Sequence, residues 1–161
     1  METLLIYDSL YGNTEKIARA IAGGLAAPQD VRLLKAAEAS PADATGIDIL
    51  IVGSPTQGSK TTAAVQEFLN RLPKDSLKGV KTAAFDTRMT NRLVRMFGYA
   101  APKIARSLEG SGGTQLVEPT GFFVTGGKGP LKEGELEKAS EWGRRIAAAV
   151  GDTKAAGPTT G

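Results

Sequence analysis

Neither cysteine nor histidine occurs anywhere in the 161 residues of this chain. Without them there is no disulfide, no thiolate nucleophile, no Cys/His zinc site and no Ser-His-Asp triad. General acid–base work would fall to carboxylates, lysine or tyrosine, or to a cofactor that carries the chemistry itself. Aromatic residues are scarce, at 6%. No apolar run approaches the ~20 residues that a membrane helix needs. No basic stretch followed by an apolar one opens the chain, as a secretion signal would, so a cytoplasmic location is the expectation. An excess of acid is also missing. The formal net charge is +3, mildly basic and too little to argue for nucleic acid as a partner.

What is present suits one globular domain. Hydrophobic residues make up 41% of the chain, enough for a real core at this length. The expected domain covers residues 1–150. The closing stretch GDTKAAGPTTG (151–161) is small and polar and reads as a flexible tail.

Apolar runs and helical periods alternate along the sequence. LLIY (4–7) reads as a buried strand, and a helix follows from about Thr14, with Ile17, Ile21 and Leu25 on one face. VRLL (31–34) is a second strand, and the helix signal between it and the next strand is poor. IDILIVG (47–53) is a strong strand, and TAAVQEFLNRL (62–72) is a helix lined by Val65, Phe68, Leu69 and Leu72. VKTAAF (80–85) is a fourth strand. A helical stretch then runs to about Leu108, with Pro102 as the first residue of a new helix. TQLVEPTGFFV (114–124) is the last strand, with a break expected at Pro119. The final helix, 135–150, would bury Leu136, Ala139, Gly143, Ile146 and Val150.

Strands that are apolar throughout, alternating with helices, predict a parallel sheet covered on both faces, a three-layer α/β sandwich. Five strands suit the doubly wound order 2-1-3-4-5, in which ligands bind beyond the carboxyl ends of strands one and three. The unusual loops fall after strands one, three and four. The first, DSLYGNT, leads into a helix whose first-turn N–H groups and dipole favour an anion. Ser9 and Thr14 add hydroxyls, Gly12 permits close approach, and Asn13 tolerates unusual backbone angles. No lysine or arginine lies between residues 7 and 15, so a phosphate would be held by neutral donors. An ordinary N-cap and turn would use the same residue types. The second loop, GSPTQGS (53–59), is rich in backbone and suits the edge of a flat heterocycle. The third, DTRMTN (86–91), starts at Asp86 with Arg88 as its charge and Asn91 as a cap. A nucleotide triphosphatase is the rival, since GSPTQGSKT nearly matches G-x-x-x-x-G-K-[ST]. Its lysine falls one residue late, with Ser59 in its place, and the spacing matters because that loop wraps a phosphate.

Over about residues 3–150 the chain resembles the flavodoxin family. YDSLYGNTEKIA resembles the phosphate loop, VGSPTQGSKTTAAVQEFL and AAFDTR the two flavin-edge loops, and FFVTGGKGPLKEGELEKASEWG the closing strand and helix. The resemblance implies a flavodoxin-like fold and FMN as cofactor. It implies that Ser9, Tyr11, Gly12, Asn13 and Thr14 surround the FMN phosphate, with Leu10 contributing backbone. Pro55, Thr56, Gln57 and Gly58 would flank one side of the isoalloxazine ring, with a peptide near Gly58 turning its carbonyl toward flavin N5 on reduction. Asp86, Thr87 and Arg88 would border the other side and the pyrimidine edge.

The chain departs from the family pattern first in its loops and then in its charge. Tyr11 stands where the phosphate loop has Ser or Thr, as in flavodoxin modules fused to diiron oxygen reductases and in flavodoxin-like quinone reductases. Neither flavin-edge loop carries a stacking aromatic, which leaves Tyr11, Phe97 or Tyr99 to substitute. Charge is the second departure. Residues 88–106 hold Arg88, Arg92, Arg95, Lys103 and Arg106 with no acid, which would favour a reduced, anionic flavin and steer acidic partners, or would simply form a solvated helix face. The expected function is an FMN-binding electron carrier serving a redox partner protein, acidic by this reasoning, with the chain a monomer or weak dimer. The alternatives are a flavodoxin-like NAD(P)H:quinone oxidoreductase and a flavin-free flavodoxin fold used for contacts. No catalytic residue, metal, nucleic acid or membrane enters this expectation.

Overall fold

A computed structural model describes residues 1–25, 30–90, 96 and 98–155, with side chains as far as Gly151. Asn91, Arg92, Arg95 and Phe97, invoked above, lie outside the described residues, as does 156–161 of the expected tail. The elements in order are β1 (Thr3–Tyr7), α1 (Asn13–Gly24), β2 (Val31–Lys35), β3 (Ile49–Pro55), α2 (Ala63–Arg71), β4 (Lys81–Arg88), α3 (Ala100–Gly110), β5 (Thr114–Gln115), β6 (Thr120–Phe123) and α4 (Glu135–Ala155). Two 3₁₀ turns, Ala36–Glu38 and Pro41–Ala44, stand between β2 and β3, where the helical pattern was poor. Among the described residues, no helix is long and apolar enough to cross a membrane.

The sheet is parallel, in the order β2-β1-β3-β4-β5, with β6 also on β4. The fifth position is thus shared by two short strands. The break expected at Pro119 is present, and register gives its size. Five residue steps from Gln115 to Thr120 face three from Thr82 to Phe85, so the chain bulges outward where proline cannot donate to the ladder.

Side-chain alternation divides the core. Leu4, Ile6, Leu50 and Val52 point to one face, under Val65, Phe68 and Leu69 of α2 and Ile104 and Leu108 of α3. Leu5, Ile51, Ala83 and Phe85 point to the other, under Ile17 and Ile21 of α1 and Ala139, Trp142 and Ile146 of α4. Each of the Val, Leu, Ile and Phe side chains among them contributes roughly 1.5–3 kcal/mol on burial. Phe85, Phe122 and Trp142 meet edge to face, with centroids 6.0–6.2 Å apart.

The structure revises four expectations. β3 runs to Pro55 and β4 to Arg88, because Ser54 and Pro55 pair with Asp86 and Thr87, and β6 pairs with β4 as far as Arg88. Asp86, Thr87 and Arg88 are therefore strand residues. Helix α3 starts at Ala100, two residues before Pro102, which occupies its first turn, where no N–H is required. Leu136 is 45% exposed, and Trp142 takes the buried position instead. Helix α4 continues to Ala155, beyond residue 150.

Candidate functional site

The loop after β1 is built by its own polar groups. Asp8 Oδ1 accepts the Ser9 N–H at 2.9 Å. Ser9 Oγ then accepts the N–H of Gly12 at 3.1 Å and of Glu15 at 3.2 Å, tying the loop back over the start of α1. Gly12 sits at φ +90°, a left-handed conformation that glycine adopts without strain. Its carbonyl accepts the first helical bond, from Lys16 N–H at 3.1 Å. Among the described residues, the backbone N–H groups of Leu10, Tyr11, Asn13 and Thr14 have no hydrogen-bond partner. A helix N-terminus with several donors left over is suited to an anion.

The side chains of this loop do more internal work than their types suggest. Thr14 is 1% exposed, and its hydroxyl lies 2.8 Å from that of Thr87 on β4. Asn13 Nδ2 donates to the Lys128 carbonyl at 3.2 Å, joining the loop after β6 to the loop after β1. Below them the Tyr7 hydroxyl donates to Glu15 at 2.9 Å. Burial, and then that bond to a carboxylate, raise the Tyr7 pKa above its usual value.

The loop after β3 is a tight turn. Gln57 and Lys60 exchange backbone hydrogen bonds at 2.8 and 2.9 Å, with Gly58 at φ +52° and Ser59 at φ +68° between them. Ser54 Oγ accepts the Thr62 N–H at 3.0 Å, which fixes the start of α2. The Thr56 N–H donates to the Thr87 carbonyl at 2.9 Å, and Lys103 Nζ donates to the Ser59 carbonyl. Three loops from distant parts of the chain are thus hydrogen-bonded into one rim.

At the end of β4, Asp86 is fully buried. Its carboxylate accepts Arg88 Nε at 2.7 Å and Nη2 at 2.8 Å, and the Ala101 N–H at the start of α3 at 2.9 Å. Burial pushes its pKa above the ordinary carboxylate range, against the opposing pull of Arg88, the Ala101 N–H and the Thr56 hydroxyl. The Arg88 guanidinium carbon lies 3.7 Å from the centroid of the Tyr99 ring.

These loops enclose a cleft of about 80 Å3, small enough that a flavin-sized group would fill it and still project into solvent. Leu10, Tyr11, Asn13 and Thr14 line it from the first loop, Pro55, Thr56 and Gln57 from the second, and Thr87 and Arg88 from β4. Ser9, Gly12, Gly58 and Asp86 are not on its wall. Ser9 and Gly12 shape the first loop from behind, Gly58 forms the tip of the second turn, and Asp86 lies behind Arg88. Met89, Val124 and Gly127 line the cleft too and were not anticipated. Met89 stood inside the quoted third loop. The other two follow the last strand, and reading every loop at that end of the sheet would have found them. Tyr11, 54% exposed, is an aromatic at the cleft, whereas Tyr99 is engaged by Arg88. The donor set fits a phosphate, and the mixed apolar and hydrogen-bonding walls fit a flat heterocycle beside it.

Solved structures share this architecture. A flavodoxin from the domain Archaea is 23% identical, with a TM-score of 0.77, covering 94% of this chain and 99% of that one. Flavodoxin 2 from Bacillus cereus is 25% identical, with a TM-score of 0.76, over 92% of this chain and 99% of that one. Rubredoxin:oxygen oxidoreductase from Desulfovibrio gigas is 22% identical, with a TM-score of 0.73, over 96% of this chain and 37% of that larger one. The family model described as flavodoxin matches residues 5–143. With the strand order, the unpaired donors at the start of α1 and this match in agreement, the chain belongs to the flavodoxin family, whose members bind FMN and transfer electrons.

Proposed function

We propose that this chain is an electron carrier that holds FMN in the cleft at the carboxyl ends of β1, β3 and β4 and exchanges electrons with a redox partner protein. The observation that carries this reading is the set of partnerless N–H groups at Leu10, Tyr11, Asn13 and Thr14, opening onto a cleft walled by Pro55–Gln57 and Thr87–Met89. When bound, FMN supplies the electron exchange itself. The protein's part is binding and electrostatics. The first loop would hold the phosphate with neutral donors and the α1 dipole. Ser9 keeps that loop in shape, and the Thr14–Thr87 bond fixes it to the sheet. The walls on β3 and β4 would grip the ring, leaving an edge at the surface, where a partner protein can approach it.

The rim is basic. Lys60 and Lys128 are exposed beside the cleft, and among the described residues neither has a carboxylate within ion-pair distance. Such a rim would speed encounter with an acidic partner surface.

The test is titration of flavin-stripped protein with FMN and, separately, with riboflavin, following flavin fluorescence. One-to-one quenching by FMN with much weaker riboflavin binding is expected. Absence of saturable binding at roughly 50 µM FMN, an affinity too weak for a resident cofactor, would overturn the reading. Fast NADH-dependent quinone reduction by the loaded protein would move the function to an FMN-dependent oxidoreductase.

A further inference from the structure

Arg88 is held more firmly than a cation at a cleft edge needs to be. Both hydrogen bonds to Asp86 use its Nε–Nη2 edge, at 2.7 and 2.8 Å. The Tyr99 ring lies against the guanidinium, 3.7 Å from its carbon to the ring centroid. Gly121 of β6 provides the room, because a side chain there would run into the Arg88 guanidinium. Asp86 is fixed in turn by the Ala101 N–H at 2.9 Å and is fully buried, whereas Arg88 lines the cleft. A guanidinium bound through its Nε–Nη2 edge turns Nη1 away from the carboxylate. Among the described residues, Arg88 Nη1 has no hydrogen-bond partner. Arg88 lines the cleft and Asp86 does not, so the fixed cation rather than its carboxylate partner is at the wall.

We propose that the Asp86–Arg88 pair sets the redox preference of the site, with Arg88 favouring reduced over oxidised FMN and Asp86 acting as the positioning residue that aims it. The inference rests on FMN binding in this cleft. Two electrons and one proton added to the neutral isoalloxazine ring leave it with one negative charge. The electrons come from the reduced redox partner, which is oxidised in the exchange, and the proton comes from water. A fixed cation at the cleft therefore stabilises the product of reduction more than its reactant, and raises the potential of the bound flavin. Preorganisation matters because a fixed dipole loses nothing to reorientation when the charge appears.

The experiment is spectroelectrochemical titration of FMN-loaded wild-type protein and of Arg88→Gln, Arg88→Lys and Asp86→Asn, together with the dissociation constant for oxidised FMN. In Arg88→Gln, reduced FMN should lose at least tenfold more affinity than oxidised FMN does, a drop of about 30 mV for a two-electron couple. Arg88→Lys should recover only part of that, since a lysine lacks the fork that orients the charge. Asp86→Asn separates aiming from simple charge. Removing a negative charge would by itself raise the potential, whereas losing the clamp lowers it, and lower is the expected result. An unchanged potential in Arg88→Gln, or a raised one in Asp86→Asn, overturns the proposal. Should Asp86→Asn fail to fold, Arg88→Lys tests the aiming instead, because it keeps the charge and loses the fork, and a wild-type potential there overturns the positioning role. If wild-type protein binds no FMN, the functional reading itself fails. If it binds FMN and Arg88→Gln keeps the wild-type potential, only this inference fails.

Discussion

Thr14 and Thr87 show what one hydroxyl pair accomplishes at the centre of the site. The two oxygens are 2.8 Å apart, and Thr14 and Thr87 are both buried. The contact bonds the first turn of α1 to the end of β4 and so ties the loop after β1 to the β4 wall of the cleft. Replacing one threonine by valine keeps the shape and leaves the other hydroxyl buried and unpaired, at a cost of about 1–3 kcal/mol. Replacing both removes the unpaired group, and a matched apolar pair is nearly neutral. Urea denaturation should therefore find Thr14→Val clearly destabilised and the Thr14→Val, Thr87→Val double variant less so than the sum of the two single changes. Strict additivity would mean that the hydroxyls do not depend on one another.

Among the elements, α1 and α4 depend on a glycine contact. They cover the same face of the sheet, and Gly24 and Gly143 meet where they cross. A Cβ on Gly143 would run into the Ile21 carbonyl and come within 3.2 Å of Gly24 Cα, and a Cβ on Gly24 would run into the Ser140 carbonyl. Neither obstacle is a side chain that can turn aside, so the helices would have to separate. Gly143→Ala raises helix propensity yet should lower stability by about 1–3 kcal/mol through overpacking. A rise in the urea midpoint would show that the helices are further apart than described. Strand β4 makes the opposite point about local preference. Asp is depleted in strands, yet residues 86–88 are extended because β6 pairs with all three and β3 pairs with Asp86 and Thr87 on the other side.

For the whole molecule, the cleft joins β1, β3 and β4 to the loop after β6. A ligand that binds there stabilises the folded state against the unfolded chain. At free FMN about 100 times its dissociation constant, the gain is about 2.7 kcal/mol, a rise of roughly 5–10 °C in Tm for a chain of this size. Thermal denaturation with and without FMN checks this, with riboflavin as control. A Tm that does not move with FMN would argue against a site in the folded protein.

The sequence by itself determined the alternation of strands and helices, the parallel sheet and its order, and the end of the sheet where the cleft opens. The alternation and the parallel sheet follow from hydrophobic periodicity and turn chemistry, which act over a few residues, whereas the strand order came with the resemblance to the flavodoxin family. It also pointed to the three loops, and nine of the thirteen residues it nominated line the cleft. Tertiary structure decided what each polar side chain faces. Ser9 turns inward to hold Gly12 and Glu15 rather than lining the cleft, Asp86 lies behind the wall, and Trp142 rather than Leu136 enters the core. Ser54 and Gly121, the residues that pair with Asp86, are far from it along the chain. A carboxylate's role depends on the groups that desolvate and pair it, and only folding brings those together.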